Sequence, residues 1–319
     1  MIYLVTAGSG FIGSYVVRDL VMQGHDVVCF QRSGITPLLQ ELVPPEKLGN
    51  VKIAKGNIKD FESLSSAIKQ YEIKNIIHLA ASMQPESEDN VPQAIQTTVV
   101  GTNNVLEAAR TLNLNRVVWG GSNTCLGQLG KIVGSNVLDD KIDAYAPPDF
   151  YAATKGLCDF MIKHYIKKYG MDIIALRLPR TYGPGKYSGG GIAFTDFIKN
   201  VALGNPVTIT GADTSWGYLY VEDASEVLIK AAQVRSTVTK VFNPYDGRYH
   251  SGWELAEIIH EINPEVKVTI EPGKGKYDFP ALDLTPCAKE LGFTARYPLK
   301  EGVRAFVNAF RKKNNLPPL

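Results

Sequence analysis

The sequence predicts an α/β protein: a Rossmann-type doubly wound parallel sheet with a smaller mixed α/β substrate-binding lobe. Three observations predict it. A glycine-rich turn, Val5-Thr-Ala-Gly-Ser-Gly-Phe-Ile-Gly13, stands between an apolar strand pattern and a helical one. Strand and helix patterns then alternate as far as residue 178. From Pro179 the rhythm gives way to Gly183-Pro184-Gly185, Ser188-Gly189-Gly190-Gly191 and shorter elements with scattered prolines.

The first strand is the apolar run 2–5, and the helix after the turn shows an apolar face at Tyr15, Val16, Leu20 and Val21 before stopping at Gln23-Gly24. Residues 26–30 read as the second strand. Between them Gly8, Gly10 and Gly13 allow the chain to leave a strand, turn tightly and bring backbone amides to a diphosphate at a helix N-terminus. This context favours a dinucleotide site over a turn that binds nothing. Strands follow at 51–55, 75–79, 116–119 and 172–178, separated by helices at 60–71, 91–112 and 150–169. Residues 1–178 are therefore expected to form the dinucleotide-binding domain, with 179–319 mainly the substrate lobe. Residues 218–243 again read strand, helix, strand and are expected to return to the main sheet.

With 45% hydrophobic and 21% charged residues and a formal charge of +2, the composition is that of a soluble globular protein and excludes a disordered chain. No basic run suggests nucleic acid, and no apolar stretch reaches membrane-spanning length, so neither is an expected partner. The first strand pattern begins at residue 2, which leaves no room for a signal peptide, and a cytoplasmic location is expected. Cys29, Cys125, Cys158 and Cys287 are dispersed without metal-ligand spacing, so they are read as plain thiols and no metal site is expected.

Tyr151 and Lys155 lie four apart in Tyr151-Ala-Ala-Thr-Lys155, which on a helix puts both on one face. A phenol has an ordinary pKa of about 10, and a neighbouring ammonium favours its ionised form, so Lys155 is expected to tune Tyr151 as a general acid or base. Tyr182 and Lys186 repeat the spacing, but Gly-Pro-Gly between them interrupts a helix. Ser122 follows the strand 116–119, where parallel sheets present their ends to ligands, and its hydroxyl is suited to holding a substrate oxygen. The alternative is a turn serine bonded to its own backbone.

Taken together, Thr6-Ala-Gly-Ser-Gly-Phe-Ile-Gly13, His78-Leu-Ala-Ala81, Ser122, Tyr151-Ala-Ala-Thr-Lys155 and Arg180-Thr-Tyr-Gly-Pro184 resemble the extended short-chain dehydrogenase/reductase family, which is epimerase/dehydratase-like. Tyr218-Leu-Tyr-Val-Glu-Asp223 and Lys289-Glu-Leu-Gly-Phe293 extend the resemblance over nearly the whole chain. The resemblance implies an NAD(P)-dependent oxidoreductase that moves a hydride between nicotinamide and a secondary alcohol or ketone. In it Ser122, Tyr151 and Lys155 form the catalytic triad. Cofactor contacts are expected from Gly8, Ser9, Gly10, Phe11, Ile12, Gly13, Gln31, Arg32, Asn57, Ile58, Leu79, Ala80, Ala81, Tyr151, Lys155 and Pro179. Substrate contacts are expected from Ser82, Ser122, Asn123, Thr124, Tyr151, Arg180, Thr181 and Trp216. The resemblance also implies a homodimer paired through the helices 91–112 and 150–169. A nucleotide-sugar epimerase and a noncatalytic NAD(P) sensor are the alternatives, and the intact triad argues against the sensor.

Several positions depart from the family pattern. Ala7 replaces the first turn glycine. Gln31-Arg32 stands where NAD-preferring members carry an acidic residue, which favours NADP over NAD, while Asn57 is neutral. Trp216 occupies the place of an arginine that binds diphosphate in the epimerases, leaving Lys274 or Lys276 to supply charge. Asn123 and Thr124 replace the Asp-Glu pair of the dehydratases and cannot perform that elimination. Thr98 replaces an asparagine that helps maintain the proton relay. The acidic loop Pro85-Glu-Ser-Glu-Asp-Asn90 reads as a solvated surface; facing the pocket, it would disfavour anionic substrates. The run Ser188-Gly-Gly-Gly191 reads as a plain loop or the hinge of a lid.

Overall fold

The computed structural model describes residues 1–127, 147–187, 192–275 and 282–319. The chain enters on β1 (Ile2–Thr6), turns into α1 (Phe11–Met22) and returns on β2 (Asp26–Gln31). A short α2 (Pro37–Leu42) leads to β3 (Val51–Lys55), and α3 (Phe61–Gln70) to β4 (Asn75–His78). Asp60 caps α3, its carboxylate accepting from the amides of Glu62 and Ser63. The single-turn α4 (Glu86–Asp89) precedes a longer helical run of α5 (Val91–Ala94), the π-helical Ile95–Val100 and α6 (Gly101–Thr111). Then come β5 (Arg116–Ser122), α7 (Phe150–Tyr169) and β6 (Ile173–Leu178).

These strands form a parallel sheet in the order β10-β6-β5-β4-β1-β2-β3, where β10 is Val241–Phe242. The order reverses between β1 and β4, which opens a crevice beyond their carboxyl ends. Both sheet faces are apolar. Leu4 and Val28 face a core with Val105, Leu106, Cys158 and Ile162, whereas Val5, Val27 and Cys29 face one with Val16, Leu20, Val227 and Leu228. All four cysteines are buried free thiols. Among the described residues no helix is long and apolar enough to cross a membrane.

Beyond the sheet, β7 (Arg180–Tyr182) pairs with β9 (Tyr218–Tyr220), and β8 (Val207–Thr210) pairs with β11 (Val268–Glu271). A separate core of Ile198, Ile209, Tyr218, Ile259 and Val303 fills this region. Only part of the segment 218–243 therefore joins the main sheet. Its last strand pairs with β6 and its helix packs on α1, but its first strand belongs to a two-stranded sheet with β7.

The strand expected at 116–119 runs on to Ser122, in register with Leu178 of β6. Gly120 and Gly121 are strand residues, and a β-carbon there would collide with Leu79 and with the Trp119 ring respectively. Ser122 is thus the terminal strand residue, held by the sheet itself.

The glycine turn is as close as its sequence requires. A β-carbon on Gly13 would lie 2.3 Å from the Ala7 carbonyl oxygen, and one on Gly8 2.6 Å from Cys29 Sγ. Ala7, by contrast, holds a left-handed backbone with φ of 54°. That conformation costs an alanine about 1–2 kcal/mol, part of which a glycine gives back as unfolded-state entropy. Ala7→Gly is expected to raise unfolding stability by about 0.5–1 kcal/mol, read as a higher urea midpoint at unchanged slope. A lower midpoint would mean that the methyl packs more favourably than its backbone strains.

Candidate active site

A cavity of about 830 Å³ opens at the strand ends where the sheet order reverses. Gly10, Phe11, Ile12 and Gly13 form one wall, and Gly10 is an extended N-cap whose position offers no side chain to the first amides of α1. No acidic residue stands in the first turn of that helix. Glycine backbone, uncapped amides and the positive end of α1 suit the diphosphate of a dinucleotide. A β-carbon on Gly10 would sit 3.0 Å from the Ala7 carbonyl oxygen.

Leu79, Ala81, Tyr151, Lys155 and Pro179 line the same cavity, as do Ser122, Asn123, Thr124, Arg180, Thr181 and Trp216. Gly8, Ser9, Gln31, Arg32, Asn57, Ile58, Ala80 and Ser82 are not among its lining residues. Several of these are engaged locally. The Ser9 amide donates to Gln31 Oε1 at 2.8 Å, and Gln31 Nε2 donates to Ser9 Oγ and to the carbonyls of Ser33 and Gly34. Arg32 beside it is exposed. Asn57 Oδ1 accepts from the Lys59 amide, and buried Ile58 packs under Gly101.

Behind the wall lies a proton-ordered chain. Thr6 Oγ1 accepts from the amides of Leu79 and Ala80, so its hydrogen points to His78 Nδ1 at 2.7 Å. His78 Nε2 therefore donates to Thr102 Oγ1, which donates to the Thr98 carbonyl. Burial, reinforced by the Lys155 charge, pushes His78 down to about 3, consistent with this neutral tautomer. The Thr98 hydroxyl accepts from the Ser82 amide, so it is spent on the loop after β4.

Tyr151 and Lys155 lie on the first turns of α7, and Ser122 on the end of β5. Tyr151 hydrogen-bonds Ser122, whose Oγ lies 2.8 Å from Thr124 Oγ1. Lys155 Nζ donates to the Gly120 carbonyl at 3.1 Å and stands 5.9 Å from the Tyr151 ring centre. Burial pushes Tyr151 up to about 12, partly offset by the Ser122 hydrogen bond, and pushes Lys155 down to about 8. The expected lowering of the phenol by Lys155 is not seen in the protein alone: burial dominates, the lowering influence comes from Ser122, and the ammonium spends a proton on Gly120.

The start of α7 is fixed by two carboxylates. Asp149 accepts from the Ala152 amide, and Glu88 accepts from the amides of Phe150 and Tyr151 at 3.1 and 2.9 Å. The acidic loop is thus not simply solvated surface. Glu88 holds the helix that carries Tyr151, while Glu86 and Asp89 line the cavity and stay exposed.

On the lobe side, the Arg180 guanidinium stacks 3.6 Å from the Trp216 ring centre and hydrogen-bonds Tyr218. A cation from β7 is therefore laid upon the indole. Lys274 is exposed and outside the lining, and Lys276 and the Ser188–Gly191 run lie outside the described residues. Lys186 and Glu88 were not among the expected site residues. The lone signal for Lys186 was the second Tyr-Lys spacing, while the Glu88 contact joins residues 62 and 63 apart.

Residues 3–243 match the model of the NAD dependent epimerase/dehydratase family. A dTDP-glucose 4,6-dehydratase of Escherichia coli is 26% identical over 98% of this chain and 93% of its own length. UDP-glucuronic acid decarboxylase 1 of Xenopus tropicalis is 24% identical over 97% of this chain and 72% of its own. Among solved structures, a Thermus thermophilus UDP-glucose 4-epimerase in complex with NAD superposes with a TM-score of 0.80 at 24% identity, covering 98% of this chain and 99% of that one.

Proposed function

The chain belongs to the NAD-dependent epimerase/dehydratase family of extended short-chain dehydrogenases/reductases, and from that premise we propose that it epimerises a nucleotide-linked sugar, with Tyr151 as the acid/base. The observation that carries this reading is the convergence of Ser122, Tyr151 and Lys155 on the cavity that begins at the N-terminus of α1. The bound NAD(P) supplies a hydride acceptor and donor and, when oxidised, a positive charge that favours the phenolate.

The chain's own groups do the rest. Ser122, at the end of β5, orients the reacting oxygen. Tyr151 gives that oxygen a proton or takes one from it, with its high pKa in the protein alone keeping it protonated until charge arrives. Lys155 holds the Gly120 carbonyl and places a cation near the phenol ring. Arg180, flattened on Trp216, is suited to an anionic leash such as the substrate diphosphate. Asn123 and Thr124 offer no carboxyl group for dehydration, which separates this site from the dehydratases. Exposed Leu157 and Phe160 on α7 give the expected homodimer an apolar face.

A second reading, net dehydrogenation or reduction of a secondary alcohol or ketone with release of cofactor, is favoured by Glu86 and Asp89, whose carboxylates line the cavity and repel anions. NADP is favoured over NAD in both. Gln31 is spent on Ser9, Ser33 and Gly34, and no described residue pairs with exposed Arg32, leaving its guanidinium free for a 2′-phosphate.

Both points meet in one experiment. Purified enzyme is desalted, its retained nicotinamide identified, and UDP- and dTDP-hexoses are followed by proton NMR. Epimerisation with cofactor retained supports the proposal; stoichiometric release of reduced cofactor with a keto product would replace it by the second reading. Arg32→Ala is expected to weaken NADP about tenfold while leaving NAD within twofold, and equal effects on both would remove the NADP preference.

A further inference from the structure

We propose that Lys186 is a second cofactor-diphosphate contact, reaching from the loop after β7 to the N-terminus of α1. The loop is seated there by contacts of its own. Tyr15 of α1 donates its hydroxyl to the Pro184 carbonyl at 3.0 Å, and Gly185, at φ of 89°, fits a space where a β-carbon would strike Leu38 of α2. This puts Lys186 Nζ 4.9 Å from the ring centre of Phe11, the first residue of α1.

Lys186 is only 8% exposed, yet it lines the cavity. No described residue gives its ammonium a hydrogen bond or an ion pair, and the neighbouring run Ser188-Gly-Gly-Gly191 contains no carboxylate. Arg180 adds like charge, which together with the larger effect of burial pushes Lys186 down to about 8. A buried cation facing a second cation and the positive end of a helix is unfavourable by itself. An anion between Lys186 and the N-terminus of α1 satisfies both, and the first turn of α1 supplies none. Arg180 stands apart on Trp216, whereas Lys186 stands on Phe11, beside the uncapped amides, so the cofactor diphosphate is the matching source. The inference rests on NAD(P) occupying this cavity, not on which sugar is turned over.

The test is calorimetric titration of apo-enzyme with NAD, NADP, ADP-ribose and UDP, for wild type, Lys186→Met and Lys186→Arg, at low and high salt. Lys186→Met is expected to weaken NAD, NADP and ADP-ribose about tenfold, to leave UDP within twofold and to flatten the salt dependence. Lys186→Arg is expected to keep affinity within about threefold of wild type. The apo-protein melting temperature should rise in Lys186→Met, because an unpaired buried charge is gone; a merely structural lysine would lower it. Unchanged NAD and ADP-ribose affinity would overturn the proposal, as would a loss confined to UDP, which would assign Lys186 to the substrate diphosphate. Wild type that binds no dinucleotide would instead defeat the reading of the cavity as a cofactor site.

Discussion

Tyr151→Phe is expected to lower kcat by about 10²–10⁴-fold, the usual contribution of a positioned general acid/base, while cofactor affinity stays within about twofold. The ring remains to fill its buried place at the start of α7, which Asp149 and Glu88 hold through backbone amides that the substitution does not touch. What disappears is the hydroxyl bonded to Ser122 and with it the proton carrier at the end of β5. Stability should fall only by about 1 kcal/mol, the worth of one hydrogen bond. The informative readout is the split between kcat and KM, with a cofactor titration alongside. Turnover within tenfold of wild type would remove Tyr151 from the chemistry.

The largest expected effect on stability lies one helical turn beyond Lys155. Asp159 of α7 pairs with Arg177 of β6 at 2.6 Å, with both side chains 1% exposed. Removing the cation leaves a carboxylate in the core, so Arg177→Met is expected to destabilise the fold by about 3–5 kcal/mol in urea denaturation. The double variant Arg177→Met with Asp159→Leu should recover most of that loss, because a packed apolar pair costs far less than a buried carboxylate that has lost its guanidinium. A loss below about 1 kcal/mol in the single variant would mean that the pair is dispensable. The ion pair also has a place in the site: it ties the helix carrying Tyr151 and Lys155 to β6, whose Leu178 is in register with Ser122.

The sheet was legible because its evidence is local. The β1-α1-β2 unit follows from apolar periodicity and a glycine turn, and α7 runs over the residues its pattern indicates, 150–169. β5 runs three residues past the apolar run 116–119, because Gly120 and Gly121 leave the space that Leu79 and the Trp119 ring need and carry no apolar pattern of their own. The strand at 218–220 pairs with β7 and not with the main sheet, a choice the sequence leaves open because three residues carry no periodicity that names a partner.

The site divides in the same way. Tyr151 and Lys155 share a helix, so spacing alone unites them, and Ser122 follows from the strand-end rule together with the family resemblance. Arg180 on Trp216 joins residues that no local pattern relates, and Glu88 on the Tyr151 amide spans 63 positions. Burial strong enough to hold the phenol near 12 is likewise a property of packing, not of spacing. Lys186 illustrates the mixed case: Gly-Pro-Gly was read correctly as no helix, but the same loop carries the lysine to Phe11.

The central claim is that hydride chemistry occurs where Ser122, Tyr151 and Lys155 meet. Its most direct test is a stopped-flow record of nicotinamide absorbance after mixing cofactor-loaded enzyme with the nucleotide sugar it converts, in wild type and Tyr151→Phe. Reduced nicotinamide that forms and decays within one turnover in wild type, and is lost or slowed at least a hundredfold in the variant, is the predicted result. Product formed without any reduced nicotinamide, or reduction at the same rate in the variant, would contradict the account.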